Sequence, residues 1–154
     1  MNIQLGDIGH IIQLAIAPVF LLNGVCTNLQ VLINRLARII DRSRVLEDRL
    51  DVAYNDTYLN ELDVLYRRSH LINLAITLST ACGLFVCLVI ALLFIGDTAN
   101  LTLDKYIAGL FVAAVISLIF SFGFLLREIF IASAAMRAMR HVRRAPKTYE
   151  PANE

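Results

Sequence analysis

The 154-residue sequence has no tryptophan, only three prolines and only three cysteines. The cysteines, Cys26, Cys82 and Cys87, lie inside apolar stretches, with no CxxC spacing and no histidine cluster beside them. That pattern argues against a bound metal and against a structural disulfide, and marks them as small packing residues. The chain also lacks a P-loop, a nucleophile elbow, an HExxH pair and a glycine-rich dinucleotide turn. No catalytic constellation is visible, so no cofactor and no enzymatic role are expected. Charged residues make up only 18% of the chain, and the N-terminal tail carries Asp7 but no lysine or arginine. Without a basic leader or a small-x-small cleavage site, the first apolar run reads as a retained span rather than a signal peptide. His10 is the one histidine inside a span; Asp7 stands three residues before it, and an interfacial polar role is expected.

What is present in abundance is apolar length. Hydrophobic residues make up 58% of the chain, and residues 8–33, 71–95 and 106–126 form three long apolar stretches. Each is long enough to cross a bilayer as a helix, which takes about 20 residues. The soluble parts are too short for a second core, so residues 1–154 are read as a single membrane domain.

The first stretch is polar along one side. At about 100° per residue, His10, Gln13, Asn23, Thr27, Asn28, Gln30 and Asn34 fall within an arc of about 160°. Gly6, Ala17 and Gly24 share that arc. Ile11, Leu14, Ala15, Leu21, Leu22, Val25, Leu29, Leu32 and Ile33 occupy the opposite side. Amides facing hydrocarbon are costly, so protein or water must cover this stripe.

Net charge is only +1, but the 14 lysines and arginines are unevenly spread. Only Lys105 lies outside two clusters. Arg35, Arg38, Arg42, Arg44, Arg49, Arg67 and Arg68 fall between the first and second spans. Arg127, Arg137, Arg140, Arg143, Arg144 and Lys147 follow the third. The positive-inside rule places residues 34–70 and the C-terminus in the cytoplasm, with residues 1–7 as an outer tail and 96–105 as an outer loop.

Pro18 removes the hydrogen bond to the carbonyl of Leu14, so a kink is expected in the first helix. Nothing stops that helix where the apolar run ends. A heptad of Leu36, Ile39, Ser43, Leu46, Leu50 and Ala53 carries it onward. Residues 54–57 read as a turn, with Asp56 or Thr57 capping the next helix. Leu62, Leu65, Ser69 and Ile72 supply the return leg, giving an antiparallel helical hairpin over 34–70. The second span carries small residues at i+4 spacing, Ala75, Ser79, Gly83, Cys87 and Ala91. The third carries Gly109, Ala113, Ser117 and Ser121. Such ladders let helix backbones approach closely in lipid. A basic helix over 127–145 should follow the third span, stopped by Pro146, with residues 146–154 as a tail. Its arginines suit anionic headgroups better than nucleic acid.

The run 34–42 combines Asn34, Arg35, Arg38, Asp41 and Arg42. Arg38 with Asp41, Arg44 with Glu47 and Arg44 with Asp48 are spaced for ion pairs on the helix surface. Arg35, Arg38 and Arg42 are candidates for binding headgroups or for ringing the inner mouth of an oligomer.

Residues 12–22, reading IQLAIAPVFLL, and residues 34–42, reading NRLARIIDR, together resemble the bacterial membrane family called domain of unknown function 2721. The similarity runs from about residue 8 to 140. It implies a bacterial membrane protein with about three spans and brings no catalytic residue, and the expected location is the bacterial inner membrane.

The expected fold is all-α, three transmembrane helices with a cytoplasmic antiparallel hairpin between the first and second. Three helices have little capacity to bury a broad polar arc, so a homo-oligomer is expected, first helices near its axis. Two function classes follow. The favoured one is a scaffold whose amides hold helices together and whose hairpin docks a cytoplasmic protein. The alternative is an ion or small-solute channel lined by Gln13, Asn23, Thr27, Asn28, Gln30 and Asn34.

Overall fold

The computed structural model describes residues 5–52, 56–99 and 104–144. The turn at 53–55, the connection at 100–103, residues 1–4 and the tail from 145 onward lie outside the described residues, as do the side chains of Asp7 and His10.

Three helices make up the described chain: α1 (Leu5–Val52), α2 (Asp56–Ala99) and α3 (Asp104–Arg144). Each is long and apolar enough to cross a membrane. Residues such as Leu, Ala, Arg and Glu favour helix, and no glycine or proline cluster interrupts them after Pro18. α1 therefore runs unbroken for 48 residues, about 70 Å at about 1.5 Å per residue. It accommodates Pro18 in its interior. Asp56 and Asp104 open α2 and α3, where a carboxylate complements the positive end of the helix dipole.

α2 packs against both neighbours and runs antiparallel to them. The face that α1 turns inward is a heptad, Leu22, Val25, Leu29, Leu32, Leu36, Ile39, Ser43, Leu46 and Leu50, all buried or half-buried. The period of 3.5 keeps one seam facing the partner along the whole helix. The seam begins in the membrane span, well before Leu36. One core cluster gathers Leu32, Ile39, Leu46, Leu65, Ile72 and Ala75, with Tyr58, Leu62 and Phe124 against it. A second, deeper in the spans, joins Val25, Cys82, Val86 and Ala114. Gly83 lies under α1: a Cβ there would meet Val25 at 3.6 Å and Leu22 at 3.8 Å.

The hairpin outside the apolar stretches is tied by polar bonds between its legs. Arg42 Nη2 meets Glu61 Oε1 at 2.7 Å, and Tyr66 Oη donates to Glu47 Oε1 at 2.7 Å. The bond to Glu47 and its negative charge raise the Tyr66 phenol above its ordinary value of 10.0.

Candidate functional site

Two polar layers cross the three-helix unit, one heptad apart. In the deeper layer, Asn28 of α1 is buried. Its Nδ2 donates to Ser79 Oγ of α2 at 3.2 Å and to Ser121 Oγ of α3 at 3.3 Å. Ser121 Oγ donates in turn to the carbonyl of Ala75 at 2.8 Å. Ser117 Oγ does the same to the carbonyl of Leu78, at 2.8 Å. Small residues make this possible, because α2 and α3 must approach closely for a serine of one to reach the main chain of the other. A single buried amide thus joins all three helices.

Seven residues on along α1 and α3, about 10 Å further down the helices, stands the second layer. Arg35 follows Asn28 by seven residues, and Glu128 follows Ser121 by seven. A step of seven returns to nearly the same face of a helix. Glu128 is 0% exposed. Arg35 Nη1 donates to its Oε2 at 3.0 Å. Arg68 of α2 grips the other oxygen twice, from Nη2 at 2.8 Å and from Nε at 3.0 Å. The side chains of Arg35 and Arg68 remain 38% and 23% exposed. A buried carboxylate needs such partners, since an isolated ion in an apolar site is strongly disfavoured. The layer sits where the apolar run of α3 ends, just past Leu126. Every buried side-chain nitrogen and oxygen among the described residues has a hydrogen-bond partner.

The polar stripe of α1 divides. Asn28 alone turns inward. Gln13, Asn23, Thr27, Gln30 and Asn34 are exposed on the chain's own surface. Thr27 Oγ1 donates to the carbonyl of Asn23, one turn back, at 3.0 Å. The side-chain amides of Asn23, Gln30 and Asn34 form no hydrogen bond with another described residue. The basic candidates also divide: Arg35 turns to Glu128 and Arg42 to Glu61, while Arg38 stays exposed. Of the small-residue ladders, Ala75, Ser79, Ser117 and Ser121 are buried at helix contacts, and Gly83 and Ala113 are half-buried. Cys87, Ala91 and Gly109 are exposed.

Glu128 and Arg68 were not singled out from sequence. The signal was present, because Glu128 shares a face with Ser121 one heptad earlier, as Arg35 does with Asn28. Among the described residues, no group of histidine, cysteine, aspartate and glutamate is placed to hold a metal ion.

The fold and its buried polar layers define an all-helical, multi-pass membrane protein. A family model described as a protein of unknown function (DUF2721) matches residues 15–138, and the chain belongs to that family. No curated protein matches the chain, and neither does any solved structure.

Proposed function

We propose that this protein is a non-catalytic scaffold of the bacterial inner membrane, which self-associates through the outward polar stripe of α1. The observation that carries the reading is the contrast between two sets of amides. Asn28 is saturated by Ser79 and Ser121 inside the three-helix unit. The side-chain amides of Asn23, Gln30 and Asn34 stand at comparable depth on its outside, with no hydrogen bond to another described residue. Bare amides are disfavoured in hydrocarbon, and in this reading a protein surface covers them. The saturated interior supports a rigid unit rather than a water path within one chain.

In this reading the basic clusters keep the hairpin and the C-terminus in the cytoplasm and the N-terminus outside. The hairpin, zipped by Leu46 and Leu65 and by the Arg42–Glu61 pair, stands clear of the bilayer as a docking element for a cytoplasmic protein. Arg38, Arg127 and Arg137, all exposed, hold anionic headgroups.

The test uses single cysteines in a background lacking Cys26, Cys82 and Cys87. Positions 23, 27 and 34 should react slowly with a small water-soluble thiol reagent in native membranes, because the stripe is covered by protein. The purified protein in mild detergent should exceed the 17.2 kDa of one chain. Fast reaction at all three positions, with solute flux in proteoliposomes that Asn23→Leu reduces, would replace the scaffold with a channel lined by the same stripe.

A further inference from the structure

The Arg35–Glu128–Arg68 layer holds more positive charge than its carboxylate balances. Glu128 accepts hydrogen bonds from both guanidinium groups, so the trio keeps a surplus of one positive charge. A guanidinium offers five N–H donors; Arg35 uses one of them on Glu128 and Arg68 two. Among the described residues neither arginine pairs with any other group, and both stay partly exposed. The charged neighbours do not offset the surplus. Arg42 is matched by Glu61 and Arg67 by Asp63, while Arg38 and Arg127 are exposed. Asp41 stands about 120° round α1 from Arg35. Stability does not require such a trio either, since apolar side chains of similar volume suit a packed site at least as well.

All three residues stand at the same depth. Arg35 follows the apolar stretch 8–33 by two residues, Arg68 precedes 71–95 by three, and Glu128 follows 106–126 by two. Each is therefore within about 5 Å of where the hydrocarbon ends and the headgroup region begins. α1 and α3 both pack on α2 but scarcely on each other, and the Arg35–Glu128 bond bridges the gap between them. Val31 lies one turn into the span from Arg35, on the same side of α1. It is exposed and offers an acyl chain an apolar surface directly beneath the two arginines.

We infer that Arg35 and Arg68 form a binding site for one anionic phosphate, that of an acidic phospholipid in the leaflet on the hairpin side. The surplus charge of one matches the single net negative charge of such a headgroup. Glu128 is the positioning residue: it holds the two guanidinium groups together, and their remaining N–H groups suit phosphate oxygens, which planar forks bind in pairs. The depth of the layer and the apolar surface at Val31 favour a lipid over a soluble phosphate. This inference needs three spanning helices but not the self-association proposed above. It differs from the attraction of Arg38, Arg127 and Arg137 for headgroups in having a fixed geometry.

The full chain, purified in a neutral detergent, is titrated with short-chain phosphatidylglycerol, short-chain phosphatidylcholine or inorganic phosphate, and binding is read from the rise in unfolding midpoint. Phosphatidylglycerol should raise the midpoint saturably. Phosphatidylcholine should not, because its choline already balances its phosphate. Arg35→Gln should weaken phosphatidylglycerol binding about tenfold, the effect of one hydrogen bond to a charged group. Arg35→Lys keeps the charge but not the fork, and should weaken it less. Arg38→Gln and Arg127→Gln remove the same charge nearby and should change it less than about threefold. The triple variant Arg35→Leu, Arg68→Leu, Glu128→Leu should stay helical by circular dichroism yet gain nothing from phosphatidylglycerol. An equal, saturable rise with inorganic phosphate alone would keep the two-arginine site and overturn its assignment to a lipid. Equal losses in Arg35→Gln and Arg38→Gln, equal rises with the two lipids, or an undiminished rise in the triple variant would overturn the site itself, leaving the self-association of α1 untouched.

Discussion

Replacing Glu128 by alanine is the sharpest test of the three-helix unit. The carboxylate accepts three hydrogen bonds, one from Arg35 and two from Arg68. Hydrogen bonds to charged groups contribute about 1.5–3 kcal/mol each, and breaking a fully buried ion pair costs about 3–5 kcal/mol. Both guanidinium groups are partly exposed, at 38% and 23%, so water recovers some of the loss. The expected destabilisation of Glu128→Ala is therefore about 3 kcal/mol, at the lower end of the buried-pair range. Glu128→Gln keeps the shape and one acceptor but sets an amide donor against a guanidinium, so about half that loss is expected. Arg68→Ala should be worse than Arg35→Ala, because Arg68 binds through two nitrogens and is the less exposed. The triple variant Arg35→Leu, Arg68→Leu, Glu128→Leu removes every ion together and should recover most of the stability, since an apolar trio suits an apolar site. Reversible unfolding in mixed micelles, followed by far-UV circular dichroism, measures each difference. A Glu128→Ala protein within about 0.5 kcal/mol of the parent, below the worth of even one such bond, would refute this account of the layer.

Leu46 is 0% exposed in the hairpin seam while Arg44 is exposed, so Leu46→Asp should lose several kcal/mol, of order 3, and Arg44→Asp less than about 1; equal melting temperatures would mean an unpacked seam. Gly83→Ala should be nearly neutral, because its Cβ meets Val25 and Leu22 at ordinary contact distance, whereas Gly83→Leu should push α1 from α2 and lower the unfolding midpoint. In a spectroscopic titration, the phenol signal lost in Tyr66→Phe should titrate above 10.0; Glu47→Ala removes the acceptor and the charge, and should bring that signal back toward 10.0. Reporter fusions near Asn55 and after Glu154 should report cytoplasm and one at Asn100 the outside; a cytoplasmic Asn100 would invert the topology.

The helical content, the lengths of the spans and the hairpin heptad were legible along the chain. Outside the bilayer, Leu46 and Leu65 contrast with the charged residues around them, so period shows which face is buried. Within the spans, Leu22, Val25, Leu29 and Leu32 carry the same seam, yet Ile16, Val19 and Phe20 on the exposed side are equally apolar. Hydrophobic contrast vanishes there, and the seam becomes visible only once α2 is in place. The same limit hid the sorting of the amides. By residue type Asn28 is no different from Asn23 or Asn34, and only the positions of Ser79 and Ser121 turn it inward.

Sequence alone determined that this chain forms three long helices able to cross a membrane and that its first span is polar on one side. Those are local properties, set by side-chain chemistry and by a helix repeat that depends on nothing distant. Tertiary structure decided that Glu128, 93 positions from Arg35 and 60 from Arg68, accepts hydrogen bonds from both. It also decided that Arg42 meets Glu61. Both depend on the register between antiparallel helices, which is set by the fit of Gly83 beneath Val25 and by the reach of one asparagine to two serines.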